Sequence, residues 1–232
     1  MTQITAILFD KDGTLFDFHA TWGVWAKQIL KQLSGGKDQV MQDMAAAIAY
    51  DLTAQRFLPH SPAIAGTVAE ITQILAPLAG DLSPEQILDI LDRAAMDAPL
   101  CPVDGVQTTL SALRDMGLQL GVMTNDSEAP ALAHLRAAGL IDHFAFVAGA
   151  DSGFGAKPDP GPLLAFCTAV GVPPQQAVMV GDSTHDLLAA KSAGMIPIGV
   201  LTGPATTADL APHAAAVLPS ISALPDWAAQ QG

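Results

Sequence analysis

Two aspartates separated by a single lysine follow an apolar run near the start of the chain. The segment ILFDKDGTLFDF spans residues 7–18 and places Asp10 and Asp12 directly after aliphatic and aromatic positions. Two carboxylates at the end of a buried strand repel each other and lose hydration, so a cation or a proton must balance them. The pattern therefore indicates a site at which a bound cation or a proton balances the two carboxylates.

Other polar groups follow later apolar runs or lie in the glycine-rich loop DSGFGAKPDP. Each of them alone is compatible with a turn or a helix cap, and only their joint order points to chemistry. In open parallel sheets, ligands bind at the carboxyl ends of the strands. We therefore expect these groups to meet the two aspartates in one crevice. They are Thr124, Asn125, Lys157, Asp182 and Ser183.

Strand-like apolar runs alternate with helical patterns after residue 100, and a glycine closes each helical pattern. This alternation is typical of an α/β fold, a Rossmann-like parallel sheet covered by helices on both faces. The predicted strands span residues 4–9, 118–124, 144–149, 177–182, 196–201 and 215–220. The predicted helices span residues 104–116, 127–138, 160–170 and 183–193.

Residues 20–98 differ in character, because they contain helical patterns and no strand-like run. Apolar residues recur at helical spacing from Trp22 to Leu33 and again from Val40 to Leu52, and about four helices are predicted. The first strand precedes this region and the other strands follow it. The α/β core is therefore predicted at residues 1–18 and 100–232, with an inserted α-helical domain at residues 19–99, which we call the cap.

Composition restricts the class of partner. The chain has 232 residues, a formal net charge of −13 and only ten lysines and arginines, which argues against nucleic acid as a partner. No apolar stretch is long enough to span a membrane, and no signal peptide is evident, so a cytoplasmic location is expected. Cys101 and Cys167 lack metal-site spacing and are interpreted as buried free thiols.

The ordered motifs resemble those of haloacid-dehalogenase-superfamily hydrolases. The motifs are DKDGT at 10–14, TN at 124–125, KP at 157–158 and GDSTHD at 181–186. The chain is most similar to the phosphoglycolate-phosphatase-like subgroup, which carries a helical cap after the first strand. This resemblance covers essentially the whole chain. It implies a phosphatase that acts on a small phosphate monoester and uses Mg²⁺.

The resemblance also implies a role for each motif residue. Asp10 would be the nucleophile, and the Asp10 side chain, the Asp12 backbone carbonyl and Asp182 would bind Mg²⁺. Asp12 would protonate the leaving group and later accept a proton from water, a task that a dehalogenase does not need. The residues implied to bind the phosphoryl group are Thr124, Asn125 and Lys157. Behind them, Asp186 would orient metal-bound water or the lysine, and Ser183 would cap its helix or touch the metal's water shell.

Cap residues are harder to interpret from sequence. His19 could enter the site from the link between core and cap, or it could be a packed or exposed linker residue. Arg56 could meet the carboxylate of a phosphoglycolate-like substrate, or it could lie on a solvated face. His185 is interpreted as a helix-surface residue. Trp22, Trp25 and Phe57 are interpreted as cap core.

Three alternatives to a phosphatase remain at this point. A phosphomutase or a pyrophosphatase could use the same scaffold, although the scarcity of cap cations weighs against a mutase that holds a bisphosphate. A non-catalytic binding protein with this fold is the third, and the intact motif residues weigh against it. The fold alone does not choose among them. The sequence does not determine the oligomeric state.

Overall fold

The computed structural model describes residues 3–231, which form a six-stranded parallel sheet with flanking helices and a mainly helical insertion. The strands are β1 (Ala6–Phe9), β2 (Tyr50–Asp51), β3 (Arg56–Phe57), β4 (Gln119–Met123), β5 (Phe146–Ala148), β6 (Ala177–Gly181), β7 (Ile196–Val200) and β8 (Ala216–Leu218). The helices are α1 (Phe18–Leu33), α2 (Asp38–Ala47), α3 (Val68–Leu75), α4 (Pro84–Met96), α5 (Val106–Asp115), α6 (Glu128–Ala137), α7 (Gly161–Val170), α8 (Thr184–Ala193), α9 (Thr207–Leu210) and α10 (Leu224–Ala229). Single turns of 3-10 helix span Pro62–Ile64, Ala76–Leu78, Ile141–His143, Pro174–Gln176 and Ile221–Ala223.

The strand order in the main sheet is β5-β4-β1-β6-β7-β8, and every pairing is parallel. Strand β1 lies between β4 and β6, so β4 and β5 extend the sheet on one side of β1, and β6, β7 and β8 extend it on the other. Ligands bind at such switch points in doubly wound sheets. The predicted α/β fold class is confirmed, and the six predicted strand regions correspond to the six strands of this sheet.

The sheet is buried on both faces, which is why its central strands are continuously apolar. Successive residues of β1 point to opposite faces, because side chains alternate along a strand. Ile7 and Phe9 join one hydrophobic cluster, which includes residues of α5 and α10. Ala6 and Leu8 join the other, which includes residues of α7 and α8.

The helices α1 to α4 pack around a third hydrophobic cluster, whose members run from Phe18 to Ala98. The expectation that this region contains no strand is wrong. Strands β2 and β3 form a short antiparallel pair, and α2 ends at Ala47 although the apolar pattern continues to Leu52. Ala49 takes a positive φ of 49°, and the Tyr50 hydroxyl donates a hydrogen bond to the Gly23 carbonyl. Packing against α1 therefore overrides the local helical pattern.

Two chain segments link the core to the cap and run side by side. The backbone N–H of Asp17 donates to the Cys101 carbonyl at 2.8 Å, and that of Val103 donates to the Leu15 carbonyl at 3.0 Å. Cys167 is buried, but Cys101 is exposed, so its predicted burial is wrong. The reason is that Cys101 belongs to this link, where its neighbour Pro102 is also exposed. Within residues 3–231, no helix combines the length and apolar character that crossing a membrane requires.

Candidate active site

Asp10 directly follows the central strand β1, and its side chain lies almost entirely out of solvent. Its backbone N–H donates to the Val180 carbonyl of β6 at 2.8 Å, which extends the strand pairing to the edge of the crevice. Burial raises the pKa of Asp10 to about 6, although the nearby Lys157 ammonium opposes this shift. At this edge of the sheet, the positive charge of Lys157 therefore does not fully compensate for the burial of the Asp10 carboxylate.

Lys157 reaches this edge from the glycine-rich loop after β5. Its Nζ lies 2.5 Å from Asp10 Oδ1 and 2.6 Å from Asp186 Oδ1, and it donates to the Met123 carbonyl at 3.0 Å. Burial disfavours the charged ammonium, but the two carboxylates outweigh it and hold the pKa of Lys157 above its usual value. One fully charged lysine therefore neutralises part of a carboxylate cluster.

Asp182 follows β6 and lies between two glycine backbones. A Cβ on Gly13, where φ is +83°, would lie 2.3 Å from Asp182 Oδ2, and a Cβ on Gly203 would lie 1.7 Å from the same atom. Only glycine permits this approach at either position. Burial, and then the charge of Asp10, raises the pKa of Asp182 well above its usual range. The fold thus holds a second desolvated carboxylate close to the first.

The residues at this edge fit a divalent metal ion. Carboxylate oxygens of Asp10, Asp182 and Asp186 lie within 4.8 Å of one another, and all three residues are buried. An all-oxygen donor set is the kind that Mg²⁺ prefers. The raised pKa values of Asp10 and Asp182 indicate that Lys157 alone does not balance the cluster. A cation would supply the missing charge.

Asp186 and Ser183 form a capping box at the start of α8. Asp186 Oδ2 accepts from the Ser183 backbone N–H at 3.0 Å and from the Ser183 hydroxyl at 2.7 Å. Ser183 Oγ in turn accepts from the Asp186 backbone N–H at 3.4 Å. Asp186 therefore uses one oxygen to start the helix and the other to contact Lys157.

Thr124 and Asn125 follow β4, beside Asp10. Asn125 Oδ1 accepts from the Lys157 backbone N–H at 2.9 Å, and Asn125 Nδ2 donates at 2.8 Å to the carbonyls of Lys157 and Ala65. Both ends of this amide are thus engaged in holding the lysine loop and touching the cap. Thr124 Oγ1 accepts from the Asp126 backbone N–H at 3.1 Å, which leaves its own proton free to donate.

A second buried lysine, for which the motifs predicted no role, balances Asp12. Lys11 is fully buried, and its Nζ lies 2.6 Å from Asp12 Oδ2, 2.8 Å from Asp126 Oδ2 and 3.2 Å from His134 Nδ1. It also lies 5.1 Å from the centre of the Trp22 ring. Burial disfavours its charge, but Asp12 and Asp126 keep the pKa of Lys11 above its usual value. Sequence offered one signal, an acidic residue at 126 after the TN motif.

This arrangement leaves Asp12 with a pKa close to neutrality. Burial raises its pKa to about 7, with the Lys11 charge opposing the shift. Oδ2 contacts Lys11, whereas Oδ1 is buried and has no hydrogen-bond partner among residues 3–231. A carboxyl group with a pKa near neutrality can both give and take a proton efficiently.

His134 connects this cluster to the cap. Its Nε2 lies 2.6 Å from the Ala95 carbonyl in α4, and its Nδ1 faces the Lys11 ammonium. A carbonyl can only accept and an ammonium can only donate, so the neutral imidazole carries its proton on Nε2. Burial and the Lys11 charge lower the pKa of His134 to about 4. Ser127 makes a second polar contact to the cap, where its hydroxyl donates to Asp92 Oδ1 at 2.7 Å.

His134 is expected to make the protein less stable in mild acid. Its pKa rises from about 4 in the folded protein to about 6.5 in the unfolded chain, so unfolding takes up a proton below pH 6.5. The associated stability is complete above pH 6.5 and is lost as the pH falls towards 4. Urea unfolding of wild type and His134→Gln between pH 7.5 and 4.5 measures this loss of stability, and the variant should lose less stability than wild type as the pH falls. If the free energy of unfolding fell equally with pH in both proteins, His134 would not be the group that takes up the proton.

A pocket extends from these polar groups into the cap. Its core end is lined by both aspartates of the first motif and by the polar residues Thr124, Asn125, Asp126, Lys157, Asp182, Ser183, His185 and Asp186. His185, interpreted from sequence as a surface residue, is half-buried and lines this end. Trp22, Trp25 and Phe57 line the cap end while also packing in the cap cluster. His19 and Arg56 are exposed and do not line the pocket.

Comparison with known proteins identifies the family. A family model for hydrolases, described as haloacid dehalogenase-like hydrolase, matches residues 4–194. The chain belongs to the haloacid dehalogenase-like hydrolases. The family membership that the four motifs predicted is therefore confirmed.

Relatives of this haloacid dehalogenase-like hydrolase are named phosphoglycolate phosphatases. One from Nitrosospira multiformis is 33% identical over 203 residues, which cover 82% of this chain and 80% of the relative. One from Shigella boydii is 31% identical over 212 residues, which cover 87% of this chain and 82% of the relative. The crystal structure of a predicted phosphoglycolate phosphatase from Haemophilus somnus matches with a TM-score of 0.76 at 21% identity, covering 98% and 99%. The structural match shows the fold, and the relatives confirm the predicted enzyme class, a phosphatase.

Proposed function

We propose that this protein is a Mg²⁺-dependent phosphomonoesterase that hydrolyses a small phosphorylated metabolite through an aspartyl-phosphate on Asp10. The observation that carries the proposal is the pairing of two neighbouring carboxylates with two different buried lysines. Asp10 contacts Lys157, whereas Asp12 contacts Lys11. Two carboxyl groups in separate environments can take separate roles, one as nucleophile and one as acid and base.

The first step transfers the phosphoryl group to Asp10. A carboxylate oxygen of Asp10 attacks phosphorus, and the bond between phosphorus and the leaving-group oxygen breaks. Asp12 gives its proton to that oxygen, so the product leaves as an alcohol. Lys157 and the Thr124 hydroxyl stabilise the charge on the phosphoryl oxygens.

The second step regenerates the enzyme. Asp12, now ionised, accepts a proton from a water molecule that attacks phosphorus, and the bond between phosphorus and the Asp10 oxygen breaks. Inorganic phosphate leaves, with Asp10 as a carboxylate and Asp12 protonated again. Asn125 supports both steps by holding the Lys157 loop, because both ends of its amide already bind backbone groups.

Mg²⁺ would be held by the Asp10 carboxylate, the Asp12 backbone carbonyl and Asp182, with Asp186 close behind. The ion supplies positive charge that offsets the repulsion between the carboxylates and an anionic substrate. Residues 19–99 would act as the cap that excludes water from the pocket. His19 and Arg56 have no part in this proposal, because both are exposed and lie outside the pocket lining.

The cap residues that line the pocket also help to choose among the alternative functions, namely a phosphomutase, a pyrophosphatase and a binding protein. A phosphomutase that holds a bisphosphate needs cations for its second phosphate, and so does a pyrophosphatase. Among residues 3–231, the cap contributes no lysine or arginine to the pocket. A binding protein without catalysis would not need Asp12 beside an intact nucleophile. The monoesterase is therefore the function we propose.

Phosphate release tests the proposal. Wild type and Asp10→Asn are assayed with a panel of phosphate monoesters, phosphoglycolate included, in Mg²⁺ or in EDTA. We expect release by wild type in Mg²⁺, little release in EDTA, and a loss of at least about a thousandfold in Asp10→Asn, which has no nucleophile. Asp159→Asn, on the lysine loop but outside the pocket lining, is the matched control and should retain activity. Comparable turnover by Asp10→Asn would refute the aspartyl-phosphate.

A further inference from the structure

The cap end of the pocket has a different chemistry from the core end. It is formed by the side chains of α1, β3, α3 and neighbouring segments, and its large members include Trp22, Trp25, Ile29, Phe57, Ile71 and Leu75. The space between them continues directly into the site of Asp10 and Asp182. A phosphate bound at the core end therefore points the rest of its substrate at aromatic and aliphatic groups.

Charged groups are confined to the core end. Every cap residue that lines the pocket within residues 3–231 is apolar or glycine. The only polar side-chain atoms that the cap brings are the indole nitrogens of two tryptophans, and Trp25 Nε1 is buried without a hydrogen-bond partner in the described chain. The cap arginines lie elsewhere, with Arg56 exposed and Arg93 paired to Asp89.

This lining discriminates between leaving groups. A carboxylate at the cap end would lose its hydration and find no cation, and the several aspartates at the core end would repel it. An apolar ring or branched alkyl group would instead be removed from water against matching surface. The buried indole N–H of Trp25 carries no formal charge, so it cannot replace the cation that a carboxylate would need.

We propose that the physiological substrate of this enzyme is the phosphate monoester of an apolar alcohol, with an aryl or branched alkyl body, and not a phosphorylated carboxylic acid. This inference rests on the proposed phosphomonoesterase function and names its substrate class. The proposed substrate class differs from the phosphoglycolate that the names of its relatives contain. Phosphoglycolate carries a carboxylate, whereas this cap lines the pocket with apolar side chains only.

Steady-state kinetics with matched alkyl esters tests the inference. Benzyl phosphate, methyl phosphate and phosphoglycolate all have alkyl leaving groups, so differences in kcat/KM report on binding in the pocket. We expect benzyl phosphate to exceed phosphoglycolate by at least about tenfold, as burial of a ring and exclusion of an unpaired carboxylate require. Equal or faster hydrolysis of phosphoglycolate would overturn the substrate class while leaving the phosphomonoesterase intact.

Binding without turnover separates the two proposals. Calorimetry in Mg²⁺ compares 2-phenylethylphosphonate with 3-phosphonopropionate, which imitate benzyl phosphate and phosphoglycolate but cannot be hydrolysed at the replaced ester oxygen. Binding of the phenyl compound at least about tenfold more tightly supports the apolar substrate class, whether or not the esters are hydrolysed. Absence of ester hydrolysis would refute only the proposed phosphomonoesterase activity. Tighter binding of the carboxylate would overturn the inference.

A variant pair locates the effect in the cap. Trp25→Ala removes a lining ring, whereas Val24→Ala alters an exposed neighbour on the same helix that does not line the pocket. We expect Trp25→Ala to lower the benzyl-to-methyl ratio of kcat/KM about tenfold, and Val24→Ala to leave the ratio unchanged. If Trp25→Ala lowers both substrates equally, the ring has only a structural role and the inference fails.

Discussion

Replacement of Lys11 by methionine is expected to lower the free energy of unfolding by about 3–5 kcal/mol, because it leaves two largely buried carboxylates without their partner. Lys11 is fully buried and contacts Asp12, Asp126 and His134 at once. Methionine fills a similar volume, so the loss reports mainly on charge and hydrogen bonding. We also expect phosphatase activity to fall, since the carboxyl group of Asp12 loses the contact that orients it.

Urea unfolding and phosphate release measure the two effects of Lys11→Met. Lys37→Met is the control, because Lys37 is exposed and its side chain makes no capping hydrogen bond. The double variant Lys11→Met with Asp126→Asn removes one orphaned charge and should recover part of the stability without recovering activity. A Lys11→Met protein as stable as the control would show that this lysine does not balance the two aspartates.

Replacement of Asp12 by asparagine is expected to stop the reaction after its first half when the leaving group is acidic. Benzyl alcohol is a poor leaving group, so loss of the proton donor should slow benzyl phosphate hydrolysis by about 10²–10⁴-fold. The 4-nitrophenolate ion needs no proton to leave. We therefore expect the proposed nucleophile Asp10 still to be phosphorylated by 4-nitrophenyl phosphate, while no base activates the water that must release the phosphate.

Rapid-mixing kinetics distinguishes a block after the first step from a general loss of function in Asp12→Asn. We expect Asp12→Asn to release close to one equivalent of 4-nitrophenolate per enzyme in a burst and then to turn over slowly. Asp10→Asn, which lacks the nucleophile, should show no burst. An equal loss on both esters without a burst would remove Asp12 from the proton-transfer role and leave it as a structural partner of Lys11.

Much of the fold was predictable because its signals are local. Apolar runs followed by helical patterns and glycine stops marked all six strands of the main sheet, and parallel strands place their carboxyl ends at one edge. That rule brought Asp10, Thr124 and Asp182 together on adjacent strands. The antiparallel pair of β2 and β3 was not predicted, because packing against α1 decided it. The exposure of Cys101 was not predicted either, because the course of the link between core and cap decided it.

The sequence by itself determined the order of the strands along the chain, the family and the carboxylates that we propose to be reactive, since each depends on residue type and short spacing. Only the tertiary structure decided which lysine balances which carboxylate. Lys157 and Asp10, for example, are 147 positions apart in the sequence. It alone also decided that the cap lines its end of the pocket with apolar side chains. Burial and pairing are properties of neighbours in space, and folding selects those neighbours from distant parts of the chain.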